Sequence, residues 1–289
     1  MQSDRGIIAI KHHFWVEPRA SFALASPPLS ASSSFDGYNF MGKAISHRRK
    51  AFVRAGERWL LRAILYSQRR EFDYHPLPVS GAEGTRRSER SEGTRSRFEA
   101  INAVLRAEPI PPRIALDIGS HIGFFAISLA KEGILVHAVE SDWDRLLLSF
   151  LLARQEKVRL APIPMRVDTE TVDLLPESDI TLCLSVWHHW VRHYGLTEAT
   201  YILQAIVNKT RHLVFFDSGE EEMSPCYRLP YTEGSASDFF SRYLQQFEGV
   251  DVVIDLGRHQ AISPADHAGT RHDVLRTLYC LRKAARVAD

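Results

Sequence analysis

The stretch that most constrains the fold is residues 113–129, which reads RIALDIGSHIGFFAISL. Residues 114–116 form a short apolar run that leads into Asp117, as expected of a buried strand in a parallel sheet. Gly119 and Gly123 follow at a spacing of four, and apolar residues then recur in a pattern that a helix can bury. Glycines at such a turn let a ligand approach the main chain, and a helix start offers unpaired N–H groups. The segment therefore predicts a strand, a ligand-binding turn and a helix.

The order Asp117, Gly119, Gly123 resembles the first motif of the class I S-adenosylmethionine (SAM) dependent methyltransferases, D-x-G-x-x-x-G. A dinucleotide-binding fingerprint that starts at Gly119 requires glycines at positions 121 and 124, where this chain has His121 and Phe124, so a nicotinamide enzyme is disfavoured. The resemblance implies a doubly wound, seven-stranded α/β sheet, SAM as the cofactor, and a cofactor-binding role for the acid and both glycines. The alternative is a structural turn of an unrelated α/β protein.

A second strand is predicted over residues 134–139 and ends at Glu140, after a helix that Gly133 closes. An acid at the end of the second strand, about twenty residues after the glycine turn, binds ribose hydroxyls in nucleoside-binding α/β folds. Glu140 is therefore the predicted ribose ligand. The alternative is an acid at a helix start, but Ser141 and Asp144 already form a predicted capping box for the next helix.

A third strand is predicted over residues 158–163, and Asp168 follows it. In the family that the chain resembles, an acid shortly after this strand often hydrogen-bonds the adenine amine. The resemblance thus makes Asp168 a candidate cofactor ligand, with Asp173 as its competitor. A solvent-exposed loop position is the alternative for both.

A fourth strand, residues 179–186, runs directly into Trp187, His188, His189 and Trp190. In the family that the chain resembles, the loop after this strand faces both cofactor and acceptor. Histidine removes protons from hydroxyls near neutral pH, so His188 and His189 are the candidate catalytic residues, with His189 preferred. The alternative is that one histidine packs on the following helix while the tryptophans fill the core. No metal site is predicted, because adjacent histidines rarely form one without a nearby third ligand, for which His193 is the remaining candidate.

The rest of the chain completes the predicted sheet. Residues 220–222 form an acidic run that predicts a solvent-exposed loop, with an edge of the substrate site as the alternative. The remaining predicted elements are a helix over 197–207, a strand over 212–216, a helix over 237–247, and two strands over 250–256 and 275–281 that form an antiparallel hairpin at the sheet edge.

The N-terminal third has a different composition. Residues 1–45 are predicted to be disordered, or to precede a start of translation near Met41, because their Pro- and Ser-rich stretch lacks periodicity. Residues 46–98 are predicted to form a basic helical extension that ends in a polar linker at 80–95. Ser96 is predicted to cap a short helix after this linker. Residues 99–289 are the predicted methyltransferase domain. Residues 1–106 hold 18 Lys and Arg against 10 acids, so a nucleic-acid partner stays a less favoured alternative.

Two features of composition limit the environment of the protein. No apolar run approaches the roughly 20 residues of a membrane helix. Cys183, Cys226 and Cys280 are odd in number and lack metal-ligand spacing, which indicates reduced thiols and predicts a cytoplasmic location.

These patterns predict a SAM-dependent methyltransferase that acts on a small-molecule or sugar hydroxyl, since DIGSHIGFF is also similar to the glycine motif of sugar O-methyltransferases. One alternative is a methyltransferase of RNA 5′-phosphates or other RNA, because CLSVW at 183–187 is similar to that family's strand-four motif. The lysine and asparagine that accompany the motif there are absent. The other alternative is a binding protein that has lost the chemistry. The acceptor and the oligomeric state do not follow from the sequence.

Overall fold

Apolar runs of strand length alternate with apolar stripes of helical period along this chain, and such a pattern builds a layered α/β domain. The computed structural model describes residue 56 and residues 88–231, 235–262 and 273–284. All of them belong to the second of two compact units, residues 52–289. Apart from residue 56, the segments predicted within residues 1–87 lie outside the described residues. These predictions are the disordered segment, the basic helix and the first part of the linker.

The elements follow in the order α1 (Ser88–Ala107), β1 (Ile114–Ile118), α2 (Phe124–Lys131), β2 (Leu135–Glu140), α3 (Trp143–Glu156), β3 (Leu160–Pro164), β4 (Ser178–Leu184), α4 (Trp187–Tyr194), α5 (Leu196–Lys209), β5 (Thr210–Asp217), α6 (Ala236–Gln245), β6 (Val250–Ile262) and β7 (Asp273–Lys283). Short 3₁₀ turns lie at Val172–Leu174 and Pro225–Tyr227. Within this part of the chain, no helix is long and apolar enough to cross a membrane.

The described strands form one seven-stranded sheet in the order β3-β2-β1-β4-β5-β7-β6. Strands β1 to β5 are parallel to one another, whereas β7 is antiparallel to both β5 and β6. The predicted sheet and its antiparallel edge hairpin are confirmed. From β1, successive strands are added on one side as β2 and β3, and then on the other side as β4 and β5. Open α/β sheets bind ligands at the carboxyl ends of the strands that flank this switch, here β1 and β4.

Helices cover the sheet on both faces. Neighbouring residues of a strand point to opposite faces, so successive residues pack against different helices. In β1, Ala115 packs with the side chains of α1 and α2, whereas Leu116 packs with those of α4, α5 and α6. Both residues are fully buried. The carboxyl ends of the parallel strands are thus held at one edge by two apolar layers.

Helix α1 begins within the segment that the sequence predicted as a linker. Ser96 lies inside this helix rather than at its start, so the predicted capping box is wrong. The Ser96 hydroxyl donates to the Gly93 carbonyl at 3.2 Å and lies 2.8 Å from Nδ1 of His259 on β6. A side chain at Gly93 would collide with the Gln260 backbone, so glycine allows the helix to lie directly on β6. This tertiary contact orders a segment whose polar composition favours a loop.

Candidate active site

The turn between β1 and α2 has three residues with left-handed backbone angles: Gly119 at φ 70°, His121 at φ 51° and Gly123 at φ 82°. The Gly119 and Ser120 amides donate to the Val139 carbonyl at 2.9 and 3.0 Å, which ties the turn to the end of β2. Glycine adopts positive φ at little cost, so the spacing recognised in the sequence corresponds to a real backbone requirement.

The two glycines are also needed for packing. A Cβ on Gly119 would lie 2.8 Å from Cγ2 of Val186 after β4, and one on Gly123 would lie 2.8 Å from Cβ of Ser149 on α3. A side chain at either glycine would therefore collide with the protein itself before it reached a bound ligand. The predicted cofactor role of Gly119 and Gly123 stays a prediction, and the structure adds the close approach of the turn to β4 and α3.

Asp117 lies at the carboxyl end of β1, between Ala138 of β2 and Leu182 of β4. Its side chain is buried, and its Oδ2 has no hydrogen-bond partner among the described residues. The pKa of this carboxyl is raised to about 7, chiefly by burial and to a smaller extent by the negative charge of Glu140, while the hydrogen bond from the Ala126 amide opposes the shift. An acid in this state favours a ligand that brings a hydrogen-bond donor or a positive charge.

Glu140 is the last residue of β2 and is also buried. Its Oε2 accepts a hydrogen bond from the His121 amide at 2.9 Å, and its Oε1 accepts one from the Asp142 amide at 2.9 Å. The carboxylate thus links the glycine turn to the start of α3. The predicted capping box is wrong, because Asp142 rather than Ser141 caps α3 and accepts from the next helix amides.

Asp168 lies between β3 and the 3₁₀ turn Val172–Leu174. Its Oδ1 accepts hydrogen bonds from the Glu170 and Thr171 amides at 3.0 Å and from the Thr171 hydroxyl at 2.9 Å. The carboxylate therefore organises its own loop, and its role toward adenine stays a prediction. Its competitor Asp173 is exposed on the turn, where its carbonyl accepts from Lys209.

The aromatic and histidine cluster lies on helix α4, so its predicted placement in a loop is wrong. Trp187 and Trp190 are buried in the core. Their ring N–H groups donate to the Tyr243 hydroxyl at 3.1 Å and to the Val167 carbonyl at 2.9 Å. Both tryptophans lie on the apolar face of α4, which packs against the core. This agrees with the alternative that the tryptophans fill the core.

The two histidines have different environments. His188 is buried, and its Nδ1 accepts a hydrogen bond from the Gly219 amide at 2.9 Å. Burial, followed by the charge of Arg276, lowers the pKa of His188 well below its usual value. This ring is therefore neutral and carries its proton on Nε2, which makes it a hydrogen-bond donor on that side.

His189 is the exposed member of the pair, and its ring centre lies 4.4 Å from that of His188. Partial burial, followed by the charges of His193, Arg192 and Arg276, lowers its pKa from the usual histidine value. A neutral imidazole that solvent can reach is able to accept a proton at pH 7.

A set of buried charges that the sequence patterns did not predict lies in the same region as the histidines. Arg97 of α1 contacts Asp217, the last residue of β5, at 2.6 Å, and both side chains are buried. The Glu220–Glu222 run is not a solvent-exposed loop as predicted. Glu220 is 3% exposed and pairs with Arg258, and Glu222 pairs with Arg276 at 2.7 Å. Arg258 and Arg276, which lie on the edge strands β6 and β7, could have indicated buried acidic partners, but those partners are distant in the chain.

No protein-family profile matches the chain. Over 113 residues it is 26% identical to the O-antigen chain terminator bifunctional methyltransferase/kinase WbdD of Escherichia coli, an alignment that covers 38% of this chain and 16% of that protein. A crystal structure of WbdD at 2.2 Å resolution aligns with a TM-score of 0.55 and 19% identity, over 76% of this chain and 46% of the other. A monomeric WbdD structure aligns with a TM-score of 0.52 and 18% identity, over 75% and 47%.

The chain has the fold of the class I SAM-dependent methyltransferases. The predicted fold class is thereby confirmed. The chain spans less than half the length of the WbdD proteins that it matches.

Proposed function

We propose that this protein is a SAM-dependent methyltransferase that acts on a hydroxyl of a small molecule or sugar. The observation that carries the proposal is the buried, unpartnered Oδ2 of Asp117 beside the left-handed turn and the Glu140 carboxylate. A ligand with a charged amino group and a ribose satisfies such an arrangement, because it supplies hydrogen-bond donors to both carboxylates.

The residues present fit SAM. Asp117 would accept from the ammonium group, the turn from Gly119 to Gly123 would pass close to the nucleoside, and Glu140 would accept from the ribose hydroxyls. Asp168 would contribute its second carboxylate oxygen to the adenine side, because Oδ1 already serves the loop. SAM, when bound, supplies a methyl group on a positively charged sulfur.

On the acceptor side, His189 is the proposed general base. It is exposed, and its lowered pKa leaves it neutral at pH 7, so that it can remove the hydroxyl proton as the oxygen attacks. His188 is proposed to donate a hydrogen bond from Nε2, because the Gly219 amide occupies Nδ1. Methyl transfer otherwise depends on positioning of the acceptor oxygen.

A saccharide hydroxyl is the preferred acceptor. One relative that aligns with part of this chain is an O-antigen chain terminator, which supports a carbohydrate substrate for this protein. The RNA methyltransferase alternative is not favoured, because Cys183 and Trp187 of its CLSVW motif are buried in the core. The basic segment that also pointed to RNA lies outside the described residues. The binding-protein alternative is less favoured, because a buried carboxyl with a raised pKa and an Oδ2 without a hydrogen-bond partner is typical of functional sites. A cytoplasmic location stays part of the proposal.

Calorimetry with SAM and with its demethylated product S-adenosylhomocysteine (SAH) tests the cofactor. We expect both to bind the wild type, and Glu140→Ala to bind them about ten- to a hundredfold more weakly, the loss that charge-assisted hydrogen bonds give. Binding of neither compound to the folded wild type would refute the proposal. Transfer of labelled methyl groups to a panel of sugars then tests the acceptor class.

A further inference from the structure

Ser185 follows β4 directly and has a left-handed backbone, with φ at 58°. Residues other than glycine adopt this conformation at a cost, so other contacts must hold it. The Ser185 amide donates to the Asp217 carbonyl at 3.1 Å, and its hydroxyl donates to Oδ1 of Asp217 at 2.8 Å. The hydroxyl also accepts from Arg276 at 3.2 Å. Both the backbone and the side chain of Ser185 are therefore fastened to β5 and β7.

Asp217 is completely buried, and its second oxygen is occupied by Arg97 at 2.6 Å. A buried ion pair is a poor source of stability, since desolvation of both charges offsets their attraction. Such a pair does fix geometry. The Arg97 guanidinium also lies over the Phe125 ring, 5.6 Å from its centre, and Phe125 belongs to the first turn of α2. Arg97 thus contacts both the β5 end and the helix that follows the glycine turn.

The turn that Ser185 forms lies between the two halves of the site. Val186, the next residue, occupies the space where Gly119 would carry a side chain. Helix α4 begins at Trp187, one residue later, and brings His188 under the Gly219 amide. Movement of Ser185 would therefore displace the cofactor side through Val186 and the acceptor side through His188.

We propose that Arg97, Asp217 and Ser185 form a buried positioning network, which holds the turn after β4 against the glycine turn and fixes the start of α4. These are positioning residues that act through Val186 and His188. The inference rests on the proposed function, because it assigns the network to the SAM site. It also makes α1 an integral part of that site.

The test compares Ser185→Gly with Lys157→Gly. Both residues have left-handed backbones, with φ at 58° and 60°, so glycine relieves strain at each. Only Ser185 carries a hydroxyl in the network, whereas Lys157 ends α3 on another part of the molecule. The pair therefore separates backbone strain from the positioning contacts.

For Ser185→Gly we expect SAH to bind about five- to tenfold more weakly. The hydroxyl loses the hydrogen bond that it donates to Asp217 and the one that it accepts from Arg276, while the relief of backbone strain offsets part of that loss. The Gly219 amide, measured by residue-resolved hydrogen exchange, should exchange faster by a similar factor, while the Leu182 amide in the core of β4 stays at the rate of the wild type. Lys157→Gly should leave the SAH affinity and both amides unchanged.

Arg97→Met and Arg97→Lys form the second pair. We expect Arg97→Met to weaken SAH binding and speed Gly219 exchange as Ser185→Gly does, and Arg97→Lys to restore part of both, because lysine keeps the charge beside Asp217. If Ser185→Gly shows the SAH affinity and the Gly219 exchange of the wild type, the proposal is overturned. If the wild type binds no SAH, the proposed function is wrong, and Gly219 exchange alone then decides whether the network holds α4.

Discussion

Replacement of Asp117 by Asn should change how stability depends on pH. The pKa of Asp117 is raised from 3.8 to about 7, chiefly by burial. An acid with a higher pKa in the folded protein binds more protons when folded than when unfolded. The contribution of Asp117 to the free energy of unfolding is therefore fully present below about pH 3.8 and is lost as the pH rises through about 7. Asparagine does not titrate, so the variant should lack this loss.

The size of the effect follows from the shift. Each pKa unit corresponds to about 1.36 kcal/mol, so the full shift corresponds to about 4 kcal/mol. Only part of it falls within a practical range. Between pH 5 and pH 8 the linkage relation gives a loss of about 2.5 kcal/mol for the wild type relative to Asp117→Asn.

Urea unfolding of the ligand-free protein at pH 5 and pH 8 measures this difference, with the two unfolding free energies compared for each variant. Asp173→Asn is the control, because Asp173 is exposed and lies away from β1. It should keep the pH dependence of the wild type. The reasoning is refuted if Asp117→Asn loses as much stability between the two pH values as the wild type does.

Four other substitutions have expected outcomes. Glu140→Ala should lower the thermal midpoint as well as the SAM affinity, because two backbone amides lose their acceptor, and a change in affinity below about twofold in calorimetry would contradict the ribose role. His189→Ala should reduce methyl transfer to a sugar acceptor by about a hundredfold, and the rate of the wild type should rise with pH through an ionisation below 6.5. His188→Ala should lower the thermal midpoint, since the buried Gly219 amide loses its partner, and should slow methyl transfer less than His189→Ala does. A larger and selective loss of turnover in His188→Ala would reverse the assignment of the general base. Gly119→Ala should lower the free energy of unfolding by about 1–2 kcal/mol or more in urea, because of its positive φ and the contact with Val186, and unchanged stability would argue against that geometry.

The sheet could be predicted from sequence because its signals are local. Residues 114–116 and 134–139 are apolar runs of strand length, and each ends at an acid that lies at the carboxyl end of its strand in the structure. Gly119 and Gly123 indicated a tight turn since few other residues adopt positive φ. The candidate residues of the cofactor side thus followed from residue type and spacing.

The acceptor side depended on contacts between distant parts of the chain. No residue near Glu220 in the sequence indicated that Glu220 would be buried against Arg258. Likewise, the polar residues around Ser96 did not indicate that Ser96 would lie inside a helix packed on β6. The two adjacent histidines are equivalent in the sequence. They differ in the structure because one helical step turns His188 toward the Gly219 amide and leaves His189 exposed.

The sequence by itself determined the order of strands and helices, the left-handed turn and the acids at the strand ends, because backbone preference and apolar period act over a few residues. Only the tertiary structure decided which charges are buried together. Arg97 and Asp217 are 120 positions apart, and each alone is an ordinary polar residue. Their pairing arises only when α1 is laid on the sheet beside β5, since a buried charge must find its partner wherever the fold places it.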